Sequence, residues 1–493
     1  MERKSGILLH IASLPGKYGI GTMGNEARAF VDFMVASGQK LWQILPLGHT
    51  GYGDSPYQCF SAFAGNPLLI DLEKLVQESL LDKKELPENE HFPDDQVDYG
   101  KVFHYKYALL GKAYDRFLDN KDAKIKQQFE TFCTGNVKWL DDYALFMALK
   151  DHHEGKPWLE WSDQIKMREP DAIKRYSQHL SKEVGFYRFL QFIFYHQWLE
   201  LKSYANVNNV QIIGDIPLYV ALDSADAWAN PELFDFDETM TPRTVAGVPP
   251  DYFSATGQLW GNPIYDWKYL EQKNFQWWID RIQANFLLYD ILRIDHFRGL
   301  AAYWAVPHGE KTAINGRWID APGHAMLKAV YKELGEKPII AENLGVITPD
   351  VEEMREAFNM PGMKILQFAF DSGEENEFIP HTYDKNSVVY TGTHDNNTTL
   401  GWYHESSDQD KQNVRDYFCF DDNDPAWSFI RLAWSTVSNV AIVPMQDILR
   451  LGAEARMNFP GKSPGYWKWR YSKEMITEDH IKELLSITKI YGR

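Results

Sequence analysis

Eight short apolar runs, separated by stretches patterned for helix, set the tightest limit on how this chain can fold. They are Gly6–Leu14, Lys40–Leu47, Val210–Val220, Ile291–Phe297, Pro338–Leu344, Met363–Phe370, Ser387–His394 and Val440–Ile448. Each is a near-continuous series rich in Ile, Leu and Val, the pattern of parallel strands covered on both faces. Eight such strands alternating with helices predict an α/β fold, a (β/α)8 TIM barrel. The first helix is expected over Asn25–Ser37, capped by Asn25, with Phe30, Phe33 and Met34 as its apolar stripe and Gly38 as its stop.

The distance between the second and third runs is too long for one helix. The spacing therefore assigns 1–71 and 207–493 to the barrel and 72–206 to a mainly helical insertion, with helical patterns at Tyr105–Leu118 and Tyr187–Leu201. A second insertion, 221–266, is rich in Pro, Gly, Asp and aromatics. It reads as an irregular segment over the barrel mouth, where long loops are usually functional. No separate C-terminal β-domain is expected.

Composition narrows the partners. The 493 residues carry a formal charge of −18, which repels phosphate backbones and anionic lipid but not a neutral substrate. Nucleic acid and membrane are therefore not expected partners, and oligomeric state is left open. There are 17 Trp, 26 Tyr and 28 Phe, a content that suits both a large aromatic core and flat platforms for sugar rings, so it does not decide between them. Cys59, Cys133 and Cys419 are too few for a disulfide framework, and Cys59 reads as a buried thiol more readily than as a nucleophile. The apolar run after Met1-Glu2-Arg3-Lys4 meets His10 too soon for a secretory leader, and no stretch is long enough to span a bilayer. A cytoplasmic location is expected.

In a barrel of this kind the chemistry belongs at the C-terminal ends of the strands. Three carboxylates stand there: Asp295 in Leu292-Arg293-Ile294-Asp295-His296, Glu342 in Ile340-Ala341-Glu342-Asn343, and Asp395 in Thr393-His394-Asp395-Asn396. Burying a carboxylate costs free energy unless it is paired or used. Arg293 and Asp295, two apart on a strand, share a face, and a guanidinium beside a carboxylate favours the anion that a nucleophile or cation stabiliser must be. Taken alone, the pair is equally well read as a structural bridge. Glu342 has apolar neighbours and no adjacent base, which favours the protonated form a general acid needs; alone, it would be read as a hydrogen-bonded core Glu. One ionised and one protonated carboxyl is the division of labour of retaining glycosidases, with a third acid free to hold sugar hydroxyls. His10, His296 and His394 also fall at strand ends. Without His-x-His, His-Glu-x-x-His or zinc-type Cys spacing they read as sugar ligands or core residues before metal ligands. Gly19-Ile20-Gly21-Thr22-Met23-Gly24 lacks the context of a dinucleotide site.

The ordered series Ser5–His10, Trp42–Leu47, Ser55-Pro56-Tyr57-Gln58, Gly214–Val220, Gly247–Ser254, Gly257–Pro263, Arg293–Gly299, Ala341–Gly345 and Thr393–Asn396 resembles glycoside hydrolase family 77, the amylomaltase or disproportionating-enzyme family of the α-amylase clan. The resemblance runs from about Ser5 to Arg470. It implies a 4-α-glucanotransferase acting on maltooligosaccharides and α-1,4-glucans without metal or organic cofactor. It also implies Asp295 as nucleophile, Glu342 as acid/base and Asp395 as transition-state stabiliser. Arg293, His296 and His394 would surround the reacting sugar, and Tyr57, Asp251 and Trp260 would line the glucan groove. Asp215 and Asn458 are assigned to its wall. Two departures from the family pattern stand out: Asn343, where Asp is as frequent, and Phe459 before Pro460. Three rival readings remain: an α-amylase-like hydrolase, a metal-dependent barrel hydrolase using the strand-end histidines, and an inactive glucan-binding protein.

Overall fold

The structure, a computed structural model, describes residues 1–51, 53–86, 91–250, 254–373, 375–461 and 465–493. Its strands among the described residues are β1 (Lys4–Leu8), β2 (Leu41–Gln43), β3 (Gln211–Ile216), β4 (Thr244–Val248), β5 (Gln258–Pro263), β6 (Ile291–Ile294), β7 (Ala302–Pro307), β8 (Arg317–Asp320), β9 (Ile339–Ala341), β10 (Gly362–Ile365), β11 (Ser387–Tyr390) and β12 (Val440–Pro444). Eight of them pair in parallel in the order β10-β11-β12-β1-β2-β3-β6-β9, and each falls on or overlaps one of the eight apolar runs. The fold is a (β/α)8 barrel.

The alternation hidden inside those runs becomes visible in the packing. Leu8, Leu41, Ile213, Ile291, Ile340, Val388, Tyr390, Val440 and Ile442 meet in one buried cluster inside the barrel. Their strand neighbours Ile7, Trp42, Ile212, Leu292, Ile339, Ala341, Val389, Ala441 and Val443 belong to the larger cluster under the helices. Both faces of most of these strands are apolar, so the sequence shows runs instead of a period of two. Within the barrel, the Tyr390 hydroxyl donates to Gln43 Oε1 at 2.8 Å.

The sheet closes between β9 and β10 without a regular strand pair. The Ala341 N–H donates to the Pro361 carbonyl at 3.0 Å. Asn343 adds a side-chain stitch: its Oδ1 accepts from the Met363 N–H at 2.8 Å and its Nδ2 donates to Glu352 at 2.7 Å. An amide supplies both an acceptor and a donor here, whereas an ionised Asp would face the Glu352 carboxylate with a second negative charge.

The first helix runs Asn25–Ala36 and buries Ala27, Phe30, Val31, Phe33 and Met34. Its N-cap is Gly24, not Asn25 as expected. Asp71 approaches so closely that a Cβ at Gly24 would lie 2.1 Å from Asp71 Oδ2, which leaves only glycine at that position. Residues 72–206 hold a helical layer that includes Tyr99–Asp119, Val137–His152 and the 27-residue helix Ser181–Val207. That long helix is tied to the barrel by the Trp198 indole N–H, which donates to the Leu288 carbonyl at 2.9 Å.

Segment 221–266 carries more regular structure than its composition announces. It contributes β4 and β5, which join β7 and β8 in an antiparallel sheet ordered β5-β4-β7-β8. This second sheet brings Trp260 over the mouth.

Asn343→Ala should lower the stability of the fold by about 1–3 kcal/mol, because it leaves the buried Met363 N–H without its acceptor. Urea unfolding followed by circular dichroism measures this. An unchanged midpoint would mean that backbone contacts alone hold the seam.

Candidate active site

The inward face of each strand leads straight to a polar side chain at its C-terminal end. Along β3 the inward series is Ile213 then Asp215; along β6 it is Ile291, Arg293 and then Asp295; along β9 it is Ile340 then Glu342. Register places Asp215 directly opposite Arg293. The ladder continues one residue beyond the strands, with the Asp295 N–H bonded to the Ile216 carbonyl at 3.0 Å and the Glu342 N–H to the Ile294 carbonyl at 3.1 Å. Asp295 and Glu342 are therefore fixed by backbone, not by loop.

Arg293 organises the floor. Its Nη1 donates to both Asp215 oxygens at 2.8 and 2.7 Å and to Asp295 Oδ1 at 2.9 Å. The Arg293 and Asp215 side chains are 4% and 0% exposed, and Asp295 is 29% exposed, so only Asp295 reaches the cleft. Burial disfavours the charged guanidinium, but the Asp215 and Asp295 carboxylates outweigh it and hold Arg293 protonated. Asp215 is placed differently from the groove wall expected in the sequence. It lies beneath Arg293 and accepts from the Tyr57 hydroxyl at 2.8 Å, so it supports those two residues and faces no solvent.

Glu342 is 8% exposed. Its Oε2 accepts from the His296 N–H at 2.7 Å and its Oε1 from the Leu344 N–H at 3.0 Å. Burial first, and then the neighbouring Asp295 charge, push its carboxyl up to about 7, against the opposing pull of Arg293 and the two N–H groups. His296 turns its N–H onto Glu342 by adopting φ 53°, ψ 49°. A left-handed histidine is costly and is held only where its surroundings require it. Burial pushes the His296 imidazole down to about 4, which leaves the ring neutral.

Asp395 lies across the mouth. Its Oδ1 accepts from Asn458 Nδ2 at 2.6 Å and sits 3.5 Å from His394 Nε2. Arg456, which the sequence did not single out, braces the pair by donating to the Asp395 carbonyl and the Asn458 carbonyl, both at 2.7 Å. The Arg456 guanidinium also covers the Phe459 ring, 4.2 Å from its centroid, so the departure at Phe459 packs onto this brace. Tyr57 stacks on His394 with 5.2 Å between centroids and an interplanar angle of 11°. Trp467 leans on both rings, at 5.7 and 5.9 Å. Trp467 was also missed; the aromatic string Tyr466-Trp467-Lys468-Trp469 is the signal that marks it. On the other side the Trp260 ring stands edge-on to His296 at 4.8 Å and 87°. Asp251 lies outside the described residues.

His10 shares a small cavity with His394 and Arg456 and is pushed down to about 3 by burial, with His394 adding to the effect. Cys59 donates its S–H to the Pro56 carbonyl, and burial raises its thiol to about 12, which keeps it unreactive. Among the described residues no group of three or more His, Cys, Asp or Glu is arranged to hold a metal ion.

A barrel mouth that presents one guanidinium-paired Asp and one buried Glu with a raised carboxyl, between aromatic walls, matches the class of enzymes that work on glycosidic bonds with two carboxyl groups. A family profile described as 4-alpha-glucanotransferase, glycoside hydrolase family 77, matches residues 9–476. The 4-alpha-glucanotransferase of Synechocystis is 51% identical over 496 residues, covering 100% of this chain and 98% of the relative. The chloroplastic/amyloplastic 4-alpha-glucanotransferase of Solanum tuberosum is 43% identical over 502 residues, covering 100% and 87%. The amylomaltase from Streptococcus agalactiae, solved in complex with acarbose, superimposes with a TM-score of 0.97 at 44% identity and full coverage of both chains. The chain belongs to glycoside hydrolase family 77 and is a 4-alpha-glucanotransferase.

The elevated Glu342 value carries a pH prediction. Below about 7 the carboxyl is protonated and able to donate; above it, the donor is lost. kcat/KM on maltotriose should therefore fall by about tenfold per pH unit on the alkaline side, with a midpoint near the same value. Because the folded value lies above the ordinary one, the stability Glu342 contributes is present in acid and withdrawn as pH rises through about 7. Glu342→Gln should accordingly unfold at higher urea than the parent at pH 8 but not at pH 5. Parallel midpoints at both pH values would contradict the elevated carboxyl.

Proposed function

We propose that this chain disproportionates maltooligosaccharides and α-1,4-glucans by a double displacement centred on Asp295 and Glu342. The observation that carries this reading is the pairing of opposite environments: Asp295 in contact with a buried guanidinium, and Glu342 buried with its carboxyl raised. Asp295 attacks C1 of a glucosyl unit as the bond from C1 to the bridging oxygen breaks. Glu342 delivers its proton to that oxygen, and the reducing-end fragment leaves. The glucosyl group is then an ester of Asp295. Glu342, now a carboxylate, takes the proton from the 4-hydroxyl of an incoming glucan, whose oxygen attacks C1 and frees Asp295. Asp395, held by Asn458, grips ring hydroxyls as the sugar flattens. Neither step calls on a metal or an organic cofactor.

Transfer needs the acceptor to outcompete water at the ester. Trp260, on β5 and against His296, is placed to cover the intermediate and to offer the acceptor a ring face. Tyr57, stacked with His394 and Trp467, supplies the opposing face. The acidic, thiol-bearing chain, with no helix among the described residues long and apolar enough to cross a membrane, suits the cytoplasm.

Incubation with maltotriose in the presence of EDTA tests the proposal. Glucose together with a ladder of longer maltooligosaccharides is expected. Glucose and maltose alone, with reducing ends rising, would make the chain a hydrolase, and activity that requires added metal would revive the histidine site. Asp295→Asn and Glu342→Gln should each lose at least about 10³-fold in turnover while keeping the fold; near-parental turnover would remove that residue from the mechanism. Trp260→Ala should raise the ratio of hydrolysis to transfer, and an unchanged ratio would end its shielding role.

A further inference from the structure

A sizeable groove lies outside the catalytic mouth. A groove of about 950 Å³ runs between the start of the helix Val137–His152, the loop bearing Phe63, the segment 225–233 and the helix Gln276–Leu288. That volume suits a small-molecule ligand. None of the catalytic acids or their supporting side chains lines it. The helix Gln276–Leu288 runs back between β3 and β6, antiparallel to the strands. Its first turn therefore lies at the end of the barrel that carries Asp295 and Glu342. Phe63 stands six residues beyond Tyr57 on the same loop.

Its walls combine two features that seldom occur together on an ordinary surface. The first is a set of half-buried aromatic rings. Phe63 and Trp139 are near-parallel, 6.1 Å apart at 13°, and Trp277 closes a corner against Phe63 at 6.3 Å and 89°. The second is a border of hydrogen-bonding side chains, among them Asn136, Asn230, Gln276 and Gln283. Of the charges at this border, Lys138 pairs with Asp280 at 3.2 Å and Asp142 with Arg168, while Asp226, Glu232 and Lys273 also line it. No basic surplus is present to hold a phosphate or another anion. Flat apolar faces edged by amides and carboxylates, with no excess of basic groups, match a neutral polyhydroxylated chain, whose rings stack while their hydroxyls pair at the border.

We propose that this groove is a second binding site for an α-1,4-glucan, separate from the catalytic cleft, which holds one part of a long donor or acceptor beside the barrel mouth. The proposal rests on the α-glucan reading of the catalytic site. Long chains gain from two attachments on one molecule, and short ones do not.

The test uses the full-length Glu342→Gln protein titrated with maltoheptaose by calorimetry, alone and combined with Trp277→Ala or Ala284→Arg. Trp277 also packs on Tyr265 and Arg281, so its removal carries a folding cost. Ala284→Arg, which places a long side chain in the groove from a half-buried position, provides the second variant. Two sites are expected in the parent and one in each groove variant. In the otherwise active enzyme, the same two substitutions should raise KM for soluble starch about three- to tenfold and leave maltotriose turnover unchanged. One maltoheptaose site in the parent, unaffected by either groove substitution and abolished by Tyr57→Ala, would overturn the second site while sustaining the catalytic reading. No maltoheptaose binding at all would overturn the catalytic reading and this proposal together. Self-association of the parent that both substitutions abolish, with starch KM unmoved, would make the groove a protein interface and overturn the proposal.

Discussion

Everything at this barrel mouth depends on one buried cation. Arg293 sits almost without solvent between Asp215 and Asp295, and one of its nitrogens serves both. A lone guanidinium at that depth would be prohibitively costly, and a lone Asp215 equally so; each makes the other tolerable. The pairing also settles how two carboxyls on neighbouring strands diverge. Asp295 has an ionic partner. Glu342 has none in contact among the described residues, only two backbone N–H groups, and burial together with the Asp295 charge raises its carboxyl. Different environments, not different residue chemistry, separate the proposed nucleophile from the proposed acid. Truncating Arg293 would therefore do more than remove a contact: it would leave Asp215 buried and uncompensated and disturb Asp295 and Tyr57 at once.

The parts of this arrangement that could be read in the sequence are those governed by strand periodicity. Arg293 and Asp295 share a face because they are two apart, and Ile340 points to Glu342 by the same rule, so the acids and their side of the sheet were legible. The apolar runs extend past the strands because the chain remains buried beyond the last ladder bond. That is why β9 is only Ile339–Ala341 within a longer run. Asp215 was misassigned for a related reason. Periodicity gives the direction of its side chain but not its depth, and depth is set by Arg293 on the next strand. Trp467 and Arg456 lie in the loop after β12, where no period positions anything; their roles come from tertiary contacts with Tyr57, His394 and Asp395. The Gly24 cap escaped notice because its requirement is set by Asp71, 47 positions away in sequence.

The second sheet was the least legible element, and it bears most on the outcome of the reaction. β4 and β5 are short, interrupted by glycine, and completed by β7 and β8 from after the fourth barrel strand. Neither half carries a convincing strand pattern alone, because each is stabilised only by pairing with the other. Yet this sheet holds Trp260 against His296, whose backbone N–H binds Glu342. A ring at the mouth is thus one residue removed from the proposed proton donor.

The two walls of the cleft are anchored independently. Trp260 hangs from the insertion sheet, while Tyr57, His394 and Trp467 form a stack tied to the floor by the bond from Tyr57 to Asp215. The Arg293 guanidinium bonds to Met363, Asp215 and Asp295 and, among the described residues, to nothing on β4 or β5, so the covering wall is held apart from the floor. The stacking wall is joined to the floor, because Tyr57 and Arg293 share the Asp215 carboxylate. Such a division suits the proposed reaction, in which two successive glucans meet the same pair of carboxyls. On the proposed mechanism, acceptor choice belongs to the insertion side of the cleft, where Trp260 stands, and bond cleavage to the floor built on Arg293.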